Sequence, residues 1–143
     1  MSPLVREYEV PGDDFARAGE ASGHIKSMLK ELGFAPAMIR RVAITTYEAE
    51  INMVIHADGG EAVVEVGMDE IIIRMIDTGP GIPDVDLAMK EGYSTAGPTA
   101  RELGFGAGMG LPNMKKNVDE LTIESEVGVG TIVRMVTWFR KKE

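Results

Sequence analysis

The first candidate for chemistry is a carboxylate at the end of a predicted strand. Asp77 closes an apolar run and is followed by Gly79 and Gly81. Glycines at these two offsets let the backbone turn away sharply, which leaves the carboxylate as an acceptor that faces a cavity. An acceptor of this kind suits the exocyclic amino group of a ligand. A plain Asp-x-Gly turn is the alternative, although it leaves Gly81 and the flanking prolines unexplained.

A glycine-rich run further along the chain is suited to binding an anion. The run stands directly before a predicted helix and contains Gly104, Gly106, Gly108, Met109, Gly110 and Leu111. Successive backbone N–H groups and a helix N-terminus together bind phosphate. The formal net charge is −8, from 15 basic and 23 acidic residues, so an anion must be held by the backbone and a metal ion rather than by a basic patch. The same charge disfavours nonspecific binding of nucleic acid.

A carboxylate and an amide lie one helical turn apart in the third candidate. Glu48 and Asn52 are four residues apart, so both side chains project from the same face of a predicted helix. They border an apolar stripe that we predict to face the core, formed by Ile44, Tyr47, Ile51, Val54 and Ile55. Taken alone, the pair is explained equally well by an ordinary amphipathic helix whose polar face begins there.

Several other classes of site are disfavoured by what the sequence lacks. There is no Gly-Lys pair for a Walker loop, the glycine offsets do not fit a Rossmann fingerprint, and the motifs of the common protein kinases are absent. The chain has no cysteine, and His24 and His56 lie far apart, which disfavours a zinc site. No signal peptide or stretch of 18 apolar residues is present, so we expect a cytoplasmic protein with no membrane partner.

The elements that must position these residues follow from hydrophobic periodicity and turn signals. We predict a strand at 4–10, a helix from a cap at Asp13 or Asp14 to Leu32, a helix from Pro36 to about Ala57, a hairpin of strands over 61–68 and 71–76, a short helix near 85–90, a helix over 111–118 and strands over 121–126 and 130–139. This order predicts an α/β (α+β) two-layer sandwich, in which helices cover one face of a mixed, mostly antiparallel sheet. The length of 143 residues suits a single domain over the whole chain.

The three motifs together resemble those of a known family. Glu48-x-x-x-Asn52, Asp77-x-Gly79-x-Gly81 and the Gly104–Gly110 run are similar to the N, G1 and G2 boxes of the GHKL (Bergerat-fold) ATP-binding proteins. Gly128-Val129-Gly130-Thr131 resembles the last box of that family, so the resemblance runs from about residue 36 to 138. The residues of the glycine motifs resemble those of a bacterial group within this family, the anti-sigma factors and switch serine/threonine protein kinases.

This resemblance implies a role for each motif residue. Glu48 would be the general base, and Asn52 would bind Mg²⁺ through its carbonyl oxygen. Asp77 would accept a hydrogen bond from the adenine amino group, with Thr131 nearby through water. A lid over about 93–110 would cover the phosphates of ATP. The other residues assigned to nucleotide binding are Gly79, Gly81, Ser94, Thr95, Arg101, Gly104, Gly106, Gly108, Met109, Gly110 and Leu111. For Arg101 a solvated surface position is the alternative.

The resemblance also implies a reaction and partners. The γ-phosphoryl group of Mg·ATP would be transferred to a serine or threonine of a small STAS-domain anti-sigma-factor antagonist. A sigma factor, a phosphatase and a second copy of the chain are further partners in this group. A stretch at 97–103 brings the lid closer in length to the anti-sigma factors, whereas the Val136-Thr137-Trp138 ending resembles the switch kinases, so both subgroups stay open. The alternative function is a non-catalytic ATP-binding module that sequesters a sigma factor or activates a phosphatase.

Overall fold

The computed structural model describes residues 4–12, 15–56, 59–79 and 110–139. Within them, the strands are β1 (Leu4–Pro11), β2 (Gly59–Val66), β3 (Glu70–Asp77), β4 (Glu120–Glu126) and β5 (Gly130–Trp138). The helices are α1 (Glu20–Glu31), α2 (Pro36–His56) and α3 (Gly110–Asn117), with a 3-10 turn at Phe15–Arg17. None of the described helices is long and apolar enough to cross a membrane. The short helix predicted near 85–90 lies outside the described residues.

The five strands form one sheet in the order β1-β2-β3-β5-β4, and every neighbouring pair is antiparallel. The predicted hairpin of β2 and β3 is confirmed, and its turn is closed by the Gly67 N–H, which donates to the Glu70 carbonyl at 2.9 Å. Alternation along the strands places one set of apolar side chains in the core with the helices, including Ala62, Val64, Ile71, Ile73, Met75 and Met135. The predicted two-layer architecture is thereby confirmed, and the central position of β3 places its last residue, Asp77, between two neighbouring strands.

Helix α1 begins later than the sequence predicted. Asp13 and Asp14, the predicted caps, lie outside the described residues, and the first helical residue is Glu20. Gly19 precedes it with a φ of +100°, in the left-handed region that favours glycine, and provides no side-chain cap. The first N–H groups of the helix are bound instead by Glu50 of α2. The cap therefore comes from a distant part of the chain rather than from the preceding loop.

The apolar stripe predicted for α2 is only partly correct. Ile51 and Val54 are buried, but Ile44 and Tyr47 each keep 38% of their surface exposed. The side of the helix in the core carries Ile39, Val42, Thr46, Ala49 and Met53. The Thr46 hydroxyl donates to the backbone carbonyl four residues earlier at 2.7 Å, so it lies in the core with its hydrogen bond made. Helix α2 packs against the sheet and both other helices. Ala49, which is small, and Thr46, whose hydroxyl is bonded within the helix, therefore lie in the core. A prediction based on hydrophobicity alone does not place them there.

Candidate functional site

The carboxylate of Asp77 is held by its own turn and by the neighbouring strand. Oδ1 accepts hydrogen bonds from the backbone N–H of Gly79 at 3.0 Å and of Thr131 at 3.1 Å. Thr131 lies directly opposite Asp77 in the pairing of β3 with β5. Two donors therefore fix one oxygen, while Oδ2 accepts no hydrogen bond from the described residues. The arrangement presents one free acceptor at the end of the sheet, and its use by a ligand stays a prediction.

Two glycines on the neighbouring strands allow the backbone to close around Asp77. A Cβ atom at Gly130 would lie 2.1 Å from the Asp77 carbonyl oxygen, and one at Gly60 would lie 2.0 Å from the Ile76 carbonyl oxygen. Their φ angles of +150° and +157° also favour glycine. The last box of the sequence motif includes Gly130, but the role of Gly60 was missed. The Gly59-Gly60 pair before β2 was the available signal, because paired glycines at the start of a strand indicate a close backbone approach.

The side chain of Thr131 is bound within the sheet. It is buried, and its Oγ1 lies 2.8 Å from the Oγ of Ser125 on β4. Ser125 Oγ also donates to the Gly130 carbonyl at 3.3 Å. Thr131 thus contributes its backbone N–H to Asp77 and its hydroxyl to β4, and the predicted contact of that hydroxyl with a nucleotide through water stays untested. Ser125 was not among the predicted site residues.

Glu48 and Asn52 lie in the C-terminal half of α2, which contacts the sheet near Asp77 through Met53. Both side chains are partly exposed, and neither makes a hydrogen bond or ion pair with the described residues. Met53, next to Asn52, packs on Gly60, because its methyl carbon would lie 2.7 Å from a Cβ atom there. Gly60 pairs with Asp77 across β2 and β3. The C-terminal part of α2 therefore lies beside the fixed carboxylate.

Helix α3 is attached to α2 at its C-terminal end. Arg41 donates through Nε to the Asn117 carbonyl at 3.3 Å and forms an ion pair of 3.4 Å with Asp119. Helix α3 packs along α2, and its eight residues span about 12 Å. Since Arg41 lies in the second turn of α2, we infer that α3 runs antiparallel to it, with its N-terminus towards the Glu48–Asn52 turn. This end of α3 follows directly on the glycine run.

Most of the predicted lid lies outside the described residues. Gly110 and Leu111 begin α3, and their side chains are not described. The predicted site residues that lie outside the described ranges are Gly81, Ser94, Thr95, Arg101, Gly104, Gly106, Gly108 and Met109. The described part of the site therefore consists of α2, the end of β3, the start of β5 and the backbone at the start of α3.

Glu50, two residues after Glu48, is a buried carboxylate that the sequence analysis missed. Only 1% of its surface is exposed, and it accepts three backbone hydrogen bonds at the start of α1. Its Oε2 binds the N–H groups of Gly19 at 2.9 Å and Ala21 at 3.2 Å, and its Oε1 binds that of Ser22 at 2.8 Å. A negative charge at this position also interacts favourably with the helix dipole. Its position between Ala49 and Ile51 was the only sequence signal.

Tyr47 lies between the two glutamates and α1. Its ring is close to Gly19, since a Cβ atom there would lie 3.3 Å from the ring carbon Cε1. Desolvation by burial, followed by the negative charges of Glu48 and Glu50, raises the pKa of Tyr47 above its usual value of 10.0. The phenol is therefore neutral throughout the physiological pH range. Because its folded pKa is the higher one, any stabilisation linked to it is present below pH 10 and is lost as the pH rises further.

Known proteins resemble this chain in sequence. The sequence matches the family described as histidine kinase-, DNA gyrase B-, and HSP90-like ATPase over residues 39–142. The serine/threonine-protein kinase RsbT of Bacillus subtilis is 34% identical over 119 residues, which are 80% of this chain and 84% of that protein. An anti-sigma F factor of Caldanaerobacter subterraneus subsp. tengcongensis is 36% identical over 64% of each chain. Another, from a Thermoanaerobacter species, is 40% identical over 49% of this chain and 46% of the relative.

A solved structure supports the same assignment at the level of the fold. The mycobacterial sensor histidine kinase MprB superposes with a TM-score of 0.50, covering 97% of this chain and 100% of that one, at 12% sequence identity. This identity is low, so the similarity shows the fold alone. The matches to the two anti-sigma F factors cover less than two thirds of their lengths, whereas the match to RsbT covers most of that protein. The resemblance inferred from the sequence motifs is thus confirmed, and the chain belongs to the histidine kinase-, DNA gyrase B- and HSP90-like ATPases, a family that uses ATP.

Proposed function

We propose that this chain is a Mg²⁺- and ATP-dependent serine/threonine protein kinase of a partner-switching system. Its substrate is a small STAS-domain antagonist protein. The observation that carries the proposal is the carboxylate of Glu48, which pairs with none of the described residues and lies one turn from Asn52, in the half of α2 that packs at the Asp77 end of the sheet. The 34% identity to a protein named as a serine/threonine kinase, over 84% of that protein, supports it.

The adenine of ATP fits the free oxygen of Asp77. Oδ1 is already bound by two N–H groups, so Oδ2 is directed by the same turn and accepts from an exocyclic amino group without rearrangement. The close approach of β2 and β5 at Gly60 and Gly130 keeps β3 in place while a planar base binds at its end. The phosphates then extend towards the N-terminus of α3, where the positive end of the helix dipole favours an anion.

A magnesium ion fits the donor set at Asn52. No group of three or more histidine, cysteine, aspartate or glutamate side chains suited to a metal occurs in the described ranges. Mg²⁺ bound with a nucleotide keeps water and phosphate oxygens as most of its ligands, so a single amide oxygen suffices from the protein. Asn52 is partly exposed and makes no hydrogen bond to the described residues, which leaves its oxygen free for this. The bound ion supplies charge neutralisation on the phosphates.

Glu48 acts on the acceptor hydroxyl. Its carboxylate accepts the hydroxyl proton while the new oxygen–phosphorus bond forms and the bond between the γ-phosphorus and ADP breaks. The helix that carries Glu48 is held in place by two other residues of α2. Glu50 binds the start of α1, and Arg41 binds the end of α3. A protein that only senses nucleotide has no need of a base at this position.

The second candidate function is a regulatory module that binds ATP and sequesters a sigma factor. The matches to anti-sigma F factors at 36% and 40% identity favour it. The two functions are separated by incubating the purified chain with labelled ATP, Mg²⁺ and each purified STAS-domain protein of the source organism. Label transferred to a serine or threonine supports the kinase. Tight binding of ATP and partner without transfer would exclude it in favour of the module.

The role of Asp77 is tested by one substitution. Asp77→Asn should weaken ADP binding by about 1–3 kcal/mol, because the amide places a donor opposite the adenine amino group or loses a backbone N–H partner. Isothermal calorimetry with ADP and Mg²⁺ measures this difference. Glu124→Gln on β4 is a matched control, because it removes the charge of an exposed residue in the same sheet. Equal ADP affinity of Asp77→Asn and the control would contradict the adenine assignment.

A further inference from the structure

The outward face of α2 exposes apolar side chains next to Glu48. Ile44 and Tyr47 each keep 38% of their surface exposed, although the sequence pattern placed them in the core. They are three residues apart and therefore neighbours on the helix surface, and Ile44 lies one turn below Glu48. A single exposed apolar residue needs no explanation. Two contiguous exposed apolar residues that border the proposed general base require an explanation.

The fold keeps this surface in place. Glu50 binds the backbone of Gly19 to α2, and Gly19 lies against the ring of Tyr47. The ring is thereby supported on one side by backbone and exposed on the other. A rigid apolar side chain offers contact area at a low entropic cost on binding. The neutral state of the phenol removes any charge penalty for covering it.

A cation extends the same face. Arg40 is four residues before Ile44, is exposed, and forms no ion pair with the described residues. The full chain has eight more acidic than basic residues, yet none of the acidic residues in the described ranges pairs with Arg40. Along α2 the order is therefore the cation of Arg40, two apolar groups and then the carboxylate of Glu48. The face is complementary to a surface with an acidic group and an apolar patch.

We propose that Arg40, Ile44 and Tyr47 form the docking surface for the phosphoacceptor protein. The proposal rests on the proposed function, because an acceptor hydroxyl must come within about 3 Å of Glu48 and the protein that carries it must then cover the adjoining helix surface. The partner presents its serine or threonine beside apolar side chains. It also carries a carboxylate that pairs with Arg40, about 12 Å from the hydroxyl, since eight residues of helix separate Arg40 from Glu48.

The test compares Ile44→Asp with Ile132→Asp. Ile132 on β5 is 37% exposed, which matches Ile44, but it lies in the sheet away from α2. The probes are purified STAS-domain proteins of the source organism. Each is assayed for phosphorylation by this chain. Each is also assayed for photo-crosslinking to a benzophenone residue placed at position 44 or 132 of this chain. We expect Ile44→Asp to raise the KM for the phosphorylated protein at least about tenfold, with kcat and the Kd for ATP changed less than twofold. Ile132→Asp should leave all three unchanged.

Arg40→Glu provides a second variant that does not add charge to the apolar pair. It should raise the same KM and reverse its dependence on salt, because the attraction to the partner's carboxylate becomes a repulsion that added salt screens. Tyr47→Phe should retain the wild-type KM, since the ring and not the hydroxyl makes the contact. Circular dichroism and ATP affinity show that each variant is folded.

Each outcome decides between the docking surface and the kinase. Crosslinking at 44 but not at 132, without phosphorylation, supports this face as the binding site of the STAS-domain protein but overturns the kinase, and with it the role of that protein as phosphoacceptor. Phosphorylation with an unchanged KM in Ile44→Asp and Arg40→Glu overturns the docking surface and leaves the kinase intact. Crosslinks at 44 to a second copy of the chain instead would make the face a self-interface and overturn the proposal. If no STAS-domain protein is crosslinked or phosphorylated, both the docking surface and the kinase are overturned.

Discussion

Glu48→Gln should lower the rate of phosphoryl transfer by about 10²–10⁴ while ATP affinity stays nearly constant. Glutamine keeps the shape and reach of the side chain but cannot accept the proton that leaves the acceptor hydroxyl. The ground-state complex with ATP is little affected, because the carboxylate matters chiefly when that proton moves. Single-turnover transfer of label to the partner protein and calorimetry with Mg·ATP measure the two quantities separately.

Asn52→Ala provides the contrast on the same helix. Because the amide oxygen of Asn52 is assigned to Mg²⁺ in the ground state, its loss should reduce both the affinity for Mg·ATP and the transfer rate. A transfer rate of Glu48→Gln equal to that of the wild type would show that another group accepts the proton. A fall in ATP affinity as large as the fall in rate would assign Glu48 to nucleotide binding instead.

Glu50→Ala should destabilise the fold by about 3–5 kcal/mol, because it leaves three backbone N–H groups at the start of α1 without their acceptor. The site is buried, so the loss is not offset by solvent as it would be at the surface. Urea denaturation followed by circular dichroism gives the change in the free energy of unfolding. Glu50→Ala should therefore lower the free energy of unfolding, whereas its transfer rate per folded molecule should fall much less than that of Glu48→Gln.

Glu20→Ala is the matched control for this prediction. Glu20 opens α1 and pairs with Arg17 at 2.7 Å, but both side chains are about half exposed. Exposed pairs contribute about 0–1 kcal/mol, so this change should have little effect. A loss for Glu50→Ala no larger than for Glu20→Ala would mean that water or a rearranged loop replaces the buried carboxylate.

The parts of the fold governed by local signals could be predicted from the sequence. Pro36 and the apolar spacing after it predicted α2 to within a residue or two, and two Val- and Ile-rich runs joined by a tight turn predicted the hairpin of β2 and β3. The turn after Asp77 was predicted from the Asp-x-Gly sequence, and in the structure the Gly79 N–H donates to the Asp77 carboxylate. Each of these features depends on residues within a few positions of one another.

The features that escaped prediction depend on distant contacts. Glu50 caps a helix about 30 residues before it, and apart from its apolar neighbours Ala49 and Ile51 nothing in its local sequence separates it from a surface glutamate. The buried face of α2 could not be found from a helical wheel, because packing on several sides decides which side chains are covered. Gly60 matters only because β2 approaches Ile76 and Asp77 on another strand. Such effects become visible only when the strands and helices are placed together.

The two N–H groups that hold Asp77 have a consequence for the choice of nucleobase. An ionised carboxylate only accepts hydrogen bonds, and moving it away from the base would break the hydrogen bonds to both Gly79 and Thr131. Adenine offers an amino donor at the edge where guanine offers a carbonyl oxygen. Guanine in the proposed pocket would therefore set its lone pairs against a fixed anion, and rejection of GTP follows from backbone hydrogen bonds that never touch the nucleotide.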